Sequence, residues 1–396
     1  MKNFEHIEEL IRIHRKKKRK KLLITACIGT LLFGAAGTAL YLTRDSWLKP
    51  ASVKESATLP AVTAKESAAL PASSEQDTST PLHETEAKIE TTEITVSLMG
   101  DCTLGTDENF AFDTSLNAYY LYQGGDYFFR NVRPILEEDD LSIVNMEGTL
   151  TESTKRNGEK FAFKGDPEFV SILTGGSVEA ATVANNHSHD YGEQGFEDTK
   201  NTLTAAGITP FGYDDTRIVT VKGIKVGLIG IYELYDHLER MQQLKDNIAK
   251  VKEDGADLII TIFHWGNEKE TIPDSNQVTL GHAAIDYGAD LVVGHHSHVL
   301  QGIEEYRGKY IAYSLGNFCF GGNSAPSDMD TIIFQQTFTI QNGEVLSDEN
   351  INIIPCWISS ETGFNNYQPT PAVGDEADRI LQKLEERSGQ IFSSRL

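Results

Sequence analysis

The chain has 396 residues and a formal net charge of -23, long enough for one large domain and too acidic for general nucleic-acid binding, which needs clustered Lys and Arg to neutralise phosphate. The charge is uneven: nine of the 35 Lys and Arg, but three of the 58 Asp and Glu, fall within residues 1–21, so the remainder carries 26 basic against 55 acidic groups. Four cysteines without a CxxC spacing argue against a disulfide framework and a thiolate zinc site.

Residues 1–21 are a basic tail closing on Arg15-Lys16-Lys17-Lys18-Arg19-Lys20-Lys21. Leu22 to Leu42 follows, 21 residues without a charge, enough at about 1.5 Å per residue to cross the hydrocarbon layer. The positive-inside bias predicts a single-pass cell-membrane protein with a cytoplasmic N-terminus and an extracytoplasmic main domain. A cleaved signal peptide is the rival reading of the same pattern, although no A-x-A site precedes the linker.

Residues 43–92 are predicted to be a flexible extracytoplasmic stalk. From Lys49 to Thr92 they are rich in Ala, Ser, Thr, Glu and Pro and too poor in apolar side chains to order themselves, and the stretch from Lys54 to Ala61 recurs from Lys65 to Ala72.

Residues 93–365 alternate apolar runs with helical patterns, which argues an α/β domain. Strands are predicted at Ile94 to Met99, Leu141 to Met146, Ala180 to Ala184, Lys225 to Ile231, Leu258 to Phe263 and Leu291 to Val293. Phe128, Phe129, Val132, Ile135 and Leu136 fit one helical face, as do Leu244, Ile248 and Val251. The later runs Tyr310 to Tyr313, Ile332 to Thr339 and Ile351 to Ile354 have no helices between them and predict an antiparallel portion, hence a mixed sheet system. Residues 366–396 read as a C-terminal tail with a helix around Glu376 to Arg387.

Five apolar runs end in clusters of potential ligands: Met99-Gly100-Asp101, Asn145-Met146-Glu147, Asn185-Asn186-His187, His264 to Glu268, and Gly294 to His298. Loops at the carboxyl ends of strands converge on one crevice in open α/β sheets, so these clusters should meet. Oxygen and imidazole donors without thiolates suit divalent Mn, Fe, Zn or Mg, and the supply is rich enough for two ions. Blander readings stand beside this one: Asp101 and Asn185 as turn caps, His264 as a core histidine, and Cys102 as a small buried residue rather than a nucleophile. His189 and His295 stay open between ligand and bystander.

The succession GD, NxE, ANNHxxDxG, HWGxE, GHHxH and YSLGNF, spread between Ile94 and about Cys356, resembles the CapA (poly-γ-glutamate capsule biosynthesis) family of the calcineurin-like metallophosphoesterase superfamily. The resemblance implies an α/β calcineurin-like metallophosphatase sandwich, two mixed β-sheets flanked by helices, here preceded by one transmembrane helix. It implies metal ligation by Asp101, Glu147, Asn186, His264, His296 and His298, and a general acid at His187 oriented by Asp190. One departure weakens a metal position: relatives of broad phosphoesterase type carry Asp-x-His in the first motif, whereas Asp101 is followed by Cys102 and Thr103.

As a strand, Lys160-Phe161-Ala162-Phe163-Lys164 would put both lysines on one face, either a clamp for substrate carboxylates or phosphates or a solvated strand edge. Lys160, Lys164, Glu268 and Asn317 are the candidate substrate-binding residues. The implied role is synthesis, export or anchoring of poly-γ-glutamate or a related surface polymer, by metal-dependent hydrolase or transferase chemistry. The alternatives are a non-catalytic polymer-binding subunit of a synthase complex, and a metal-dependent phosphoesterase unrelated to capsule. The partners implied are an anionic polymer or its intermediate, the membrane through the N-terminal anchor, and capsule synthase subunits.

Overall fold

The computed structural model describes residues 91–346 and 350–393. The predicted tail, anchor and nearly all of the stalk therefore lie outside the described residues. No helix among the described residues is long and apolar enough to cross a membrane.

Two mixed sheets carry the domain. The first runs in the order Thr370–Pro371, Ile351–Trp357, Asp330–Gln341, Thr91–Thr103, Leu141–Glu147, Ala180–Thr182 and Thr209–Phe211. Its strands from Thr91–Thr103 to Thr209–Phe211 are parallel, and Asp330–Gln341, Ile351–Trp357 and Thr370–Pro371 on the other side are antiparallel, as the apolar runs at Ile332 and Ile351 predict, whereas the run at Tyr310 joins the second sheet parallel to Leu291–His295. The second sheet is built on parallel strands Ile224–Tyr232, Leu258–His264, Leu291–His295 and Lys309–Ala312, with antiparallel edges at Arg217–Val221 and Ile303–Tyr306.

Side-chain alternation explains why these runs stack as layers. Ile94, Val96 and Leu98 of the first sheet share one core with Val226, Leu228, Ile260, Ile262, Leu291 and Val293 of the second. The opposite faces meet helices. Leu244, Ile248 and Val251 of the helix Met241–Glu253 and Leu280 and Ala284 of the helix Ser275–Tyr287 cover Ile229, Ile231, Ile259 and Phe263. Leu203 of the helix Gly192–Ala205 and Ile172 and Leu173 of Val170–Thr174 cover the outer face of the first sheet. This is the sandwich that the resemblance implies.

Three expectations need correction. The apolar residues from Phe128 to Leu136 are packed into the core but do not lie on one continuous helix: only Arg133–Leu136 is α-helical. Pro134 lies in the first turn of that helix, where a missing N–H costs nothing, and it could not have sat inside a longer one. Residues 366–393 are not a tail. Thr370–Pro371 extends the first sheet, and Ala377, Ile380, Leu381 and Leu384 of the helix Asp375–Ser393 enter the inter-sheet core. Thr91 and Thr92, assigned to the stalk, already pair with Gln341 and Ile340 in the first strand.

Four strands also run further than their apolar cores, ending on Thr103, Glu147, His264 and His295. The polar residues at their ends are thus held by ladder hydrogen bonds rather than by loops. Between Leu98 and Asp101 the register shifts, a bulge that re-aims Asp101. Gly100 is required there, because a Cβ would fall 2.1 Å from the Gly316 carbonyl oxygen, which itself accepts the Asp101 N–H at 2.9 Å.

Candidate metal centre and adjoining groove

The carboxyl ends of the parallel strands of both sheets meet at one edge of the sandwich. Asp101, Glu147 and His264, all fully buried, place one ligand atom each within 4.8 Å of one another. Around them the predicted residues gather. Asn186 Oδ1 lies 2.7 Å from His264 Nε2, His298 Nδ1 lies 3.0 Å from Asp101 Oδ2, and the His296 and His264 rings are 4.8 Å apart. His296 and His298 both adopt positive φ, a strained conformation held by the turn after the Leu291–His295 strand.

Asn145, in the second ligand cluster but outside the implied ligand set, is the bridge between sheets. Its Nδ2 donates to Asp101 Oδ1 at 2.9 Å and lies 3.2 Å from His264 Nδ1. Asn185 donates to Asn145 Oδ1 at 3.1 Å and to the Met146 carbonyl at 2.8 Å, which fixes the orientation of the Asn145 amide. The signal was in the sequence: residues 145 and 147 alternate onto one face of a strand. Thr103, at the position where the resemblance implies a histidine in broad phosphoesterases, donates its hydroxyl to Glu147 Oε2 at 2.8 Å. His295 Nδ1 lies 3.1 Å from Asp101 Oδ1 but off line for a hydrogen bond.

The charges at this site are arranged for a cation. Burial alone would raise the Asp101 carboxyl, but His295 and His298 outweigh it and hold it well below the usual range. Burial and the neighbouring Asp101 charge lift Glu147 to about 6. Burial and His296 keep His264 well below its ordinary value, and burial with His298 keeps His296 at about 3, so both imidazoles are neutral, the form that ligates metal. Burial would also lower His298, but Glu147 and Asp101 lift it to about 10, making it the positive charge that the carboxylates demand. Glu147 Oε1 and His296 Nδ1 are buried without a hydrogen-bond partner. Orphaned atoms of that kind, next to a cluster of oxygen and imidazole donors, fit a divalent ion.

Beside the cluster, His187 Nδ1 pairs with Asp190 Oδ2 at 2.9 Å. Burial would lower the His187 imidazole, but the Asp190 carboxylate prevails and raises it. His187, His298 and Asn317 line a groove of about 590 Å³ that also exposes Lys160, Glu268 and Lys269 between the rings of Phe110, Phe161, Phe163 and Phe320. Asn317 Oδ1 sits 2.9 Å from His298 Nδ1.

Lys164 is the exception among the predicted residues. The segment from Lys160 to Lys164 is not a strand; only Lys164–Gly165 pairs, with Thr149–Leu150. The Lys164 ammonium turns away from the groove to the Ser153 carbonyl at 3.0 Å and over the Tyr191 ring. His189 stacks on Phe196 at 4.4 Å, away from the cluster. Cys102 is buried and its thiol is pushed up by that burial, which suits a core residue and not a nucleophile.

The family model described as "Bacterial capsule synthesis protein PGA_cap" matches residues 95–322, a span holding every one of these groups. The chain belongs to that family. Among its relatives, the capsule biosynthesis protein CapA of Bacillus anthracis is 30% identical over 257 residues, 58% of this chain and 61% of that protein. The PGA biosynthesis protein CapA of Bacillus subtilis (strain 168) is 30% identical over 219 residues, 50% of this chain and 58% of that protein. The matched region thus spans about three fifths of either relative. A hypothetical protein from Thermus thermophilus, known as a crystal structure, aligns with 66% of this chain and 98% of its own at 14% identity and a TM-score of 0.42.

Proposed function

We propose that this chain is a membrane-anchored, extracytoplasmic PGA_cap protein that acts on poly-γ-glutamate or a related anionic surface polymer, with its metal centre and groove as the working site. What supports the reading is the convergence of Asp101, Glu147 and His264, donors from both sheets, beside the His187–Asp190 pair at the end of an open groove. The relatives named for capsule and PGA biosynthesis support the polymer as substrate.

Asp101, Glu147, Asn186 and His264 would hold one divalent ion, Mn, Fe, Zn or Mg, and His296 and His298 are left to help hold a second. Such an ion supplies Lewis acidity that polarises a carbonyl or phosphoryl oxygen. Asp190 fixes the His187 ring and keeps a proton on it, so His187 can deliver that proton to a leaving group in the groove. The phenyl walls accept the aliphatic and amide portions of a chain, and Lys160 at the mouth meets its carboxylates. Hydrolysis or transfer at an amide or phosphoryl bond fits these parts.

A second reading rests on Thr103. With a hydroxyl bound to Glu147 in place of the superfamily's histidine, one metal position has a donor fewer, which favours a subunit that holds polymer for a synthase complex without cleaving it. Incubating the purified, metal-loaded full chain with poly-γ-glutamate and sizing the polymer separates the two. The catalytic reading expects shortening or transfer that His187→Ala lowers by roughly 10²- to 10⁴-fold while metal stays bound. Unchanged polymer with retained binding would favour the holding subunit.

A further inference from the structure

Lys160, Phe161 and Phe163 line the groove from a segment, residues 151–163, that contains no helix or strand. A segment of that length without regular structure holds its place only if its backbone polar groups find partners elsewhere. Several of those partners come from three residues, Arg156, Asp107 and Asp190. The Arg156 guanidinium donates to the carbonyls of Asn157 at 3.1 Å, Glu159 at 2.9 Å and Lys160 at 3.2 Å, folding the segment around itself. Its Nη2 also donates to Asp107 Oδ2 at 2.8 Å, and its Nε lies 3.6 Å from Glu108 Oε1.

Asp107, 1% exposed, is satisfied on both oxygens: Oδ2 also accepts the Ala162 N–H at 2.7 Å, and Oδ1 accepts the N–H and Nδ2 of Asn109 at 2.8 Å each. It thereby ties the turn carrying Phe110 to the segment carrying Phe161 and Phe163, whose rings lie 5.7 and 6.4 Å from that of Phe110. The third side chain is Asp190. The oxygen that pairs with His187 also accepts the Phe163 N–H at 2.6 Å, and the Asp190 carbonyl accepts the Asn157 N–H at 2.7 Å. The Phe163 ring in turn stands edge-on to the His187 imidazole, with centroids 4.7 Å apart.

We propose that Asp107 and Arg156 are positioning residues for the groove, fixing residues 151–163 so that Lys160 and Phe161 are presented to an anionic chain. The proposal rests on the function set out above for its ligand, and on the structure alone for the fixed loop. Arg156 serves where Lys cannot, because a single ammonium does not reach three carbonyls and a carboxylate in one plane. Binding selectivity for carboxylate-bearing chains follows from the loop's place, not from Arg156 touching the ligand.

The test uses the metal-loaded full chain, a γ-linked glutamate oligomer as probe, and trypsin. Arg156→Ala lowers oligomer affinity by about tenfold, as does Lys160→Ala, and the double variant loses little more, because removing Lys160 removes what Arg156 presents. Asp107→Asn and Arg156→Ala both speed tryptic cleavage after Lys155 and Lys160 by about tenfold or more, and Arg156→Lys rescues neither readout. Additive affinity losses, or cleavage and affinity left at the level of the unaltered protein, overturn the proposal. If the unaltered protein ignores the oligomer, the functional reading fails, and the cleavage rates still decide the positioning role.

Discussion

Asn145 donates a hydrogen bond to Asp101 across neighbouring parallel strands, 2.9 Å from nitrogen to oxygen, and this bond orients the Asp101 carboxylate within the cluster it forms with Glu147 and His264. Asn145→Ala leaves every proposed ligand in place but frees Asp101 and His264 to reorient. Metal affinity should fall by about 10- to 100-fold, the range for losing an outer partner of a ligand. Competition with a chelator of known affinity measures it, and an unaltered affinity would show that the bulge at Gly100 alone aims Asp101.

Metal uptake should release protons in a pH-dependent count. His298, lifted to about 10, is charged across the neutral range, and Glu147, lifted to about 6, holds a proton below that. An arriving ion displaces these protons, so affinity rises with pH. Between about pH 6 and 9 the apparent affinity should climb about tenfold per unit, and more steeply below about 6, where a second proton is released. Titration calorimetry in buffers of different ionisation enthalpy counts the protons. A count of zero at pH 7 would exclude a charged His298.

The C-terminal helix is fastened by charge as well as by its apolar face. Asp330, 5% exposed, receives Arg379 through both oxygens at 2.6 and 2.7 Å and pairs with Lys383 as well. Burial would raise its carboxyl, but Arg379 and Lys383 outweigh burial and hold it below its ordinary value. A depressed carboxyl lends stability that is complete above its unfolded value of about 4 and drains as pH falls toward the folded one. Asp330→Asn should therefore cost about 1–3 kcal/mol at pH 7 and progressively less below pH 4, read by urea unfolding across pH. An equal loss at pH 3 and pH 7 would count against the charge as its cause.

The anchor proposed at residues 22–42 has a direct readout. Protease added to intact, wall-stripped cells should release a folded fragment by cutting within residues 43–90. A fragment protected until the membrane is opened would reverse the orientation.

The strands were legible in the sequence because buried parallel strands are continuous apolar runs, and Leu141, Leu258 and Leu291 begin the observed strands as they begin the predicted ones. The ligand clusters were legible for a related reason: a run of buried side chains that stops on Asp, Glu, Asn or His needs a use for those groups. Three features were hidden because they depend on partners far away in sequence. Lys164 looked like a clamp until Ser153 and Tyr191 claimed it. The helix after Asp375 shows an apolar face of Ile380, Leu381 and Leu384 in the sequence, but only the fold shows that this face enters the inter-sheet core. Arg156 belongs to no motif, and only the fold supplies Asp107, 49 positions away, as its partner.

Asp101 and Glu147 come from one sheet, His264 from the other, and His298 from the turn that follows that second sheet's strand Leu291–His295. An ion held among them would act as a rivet through both layers, so the sandwich could not begin to part along its core without first surrendering it. Occupied at a hundred times its dissociation constant, such a rivet adds about 2.7 kcal/mol against unfolding. If the domain faces proteases outside the cell, as proposed, metal supply would govern its lifetime, and starvation for metal would be felt first as loss of the protein itself.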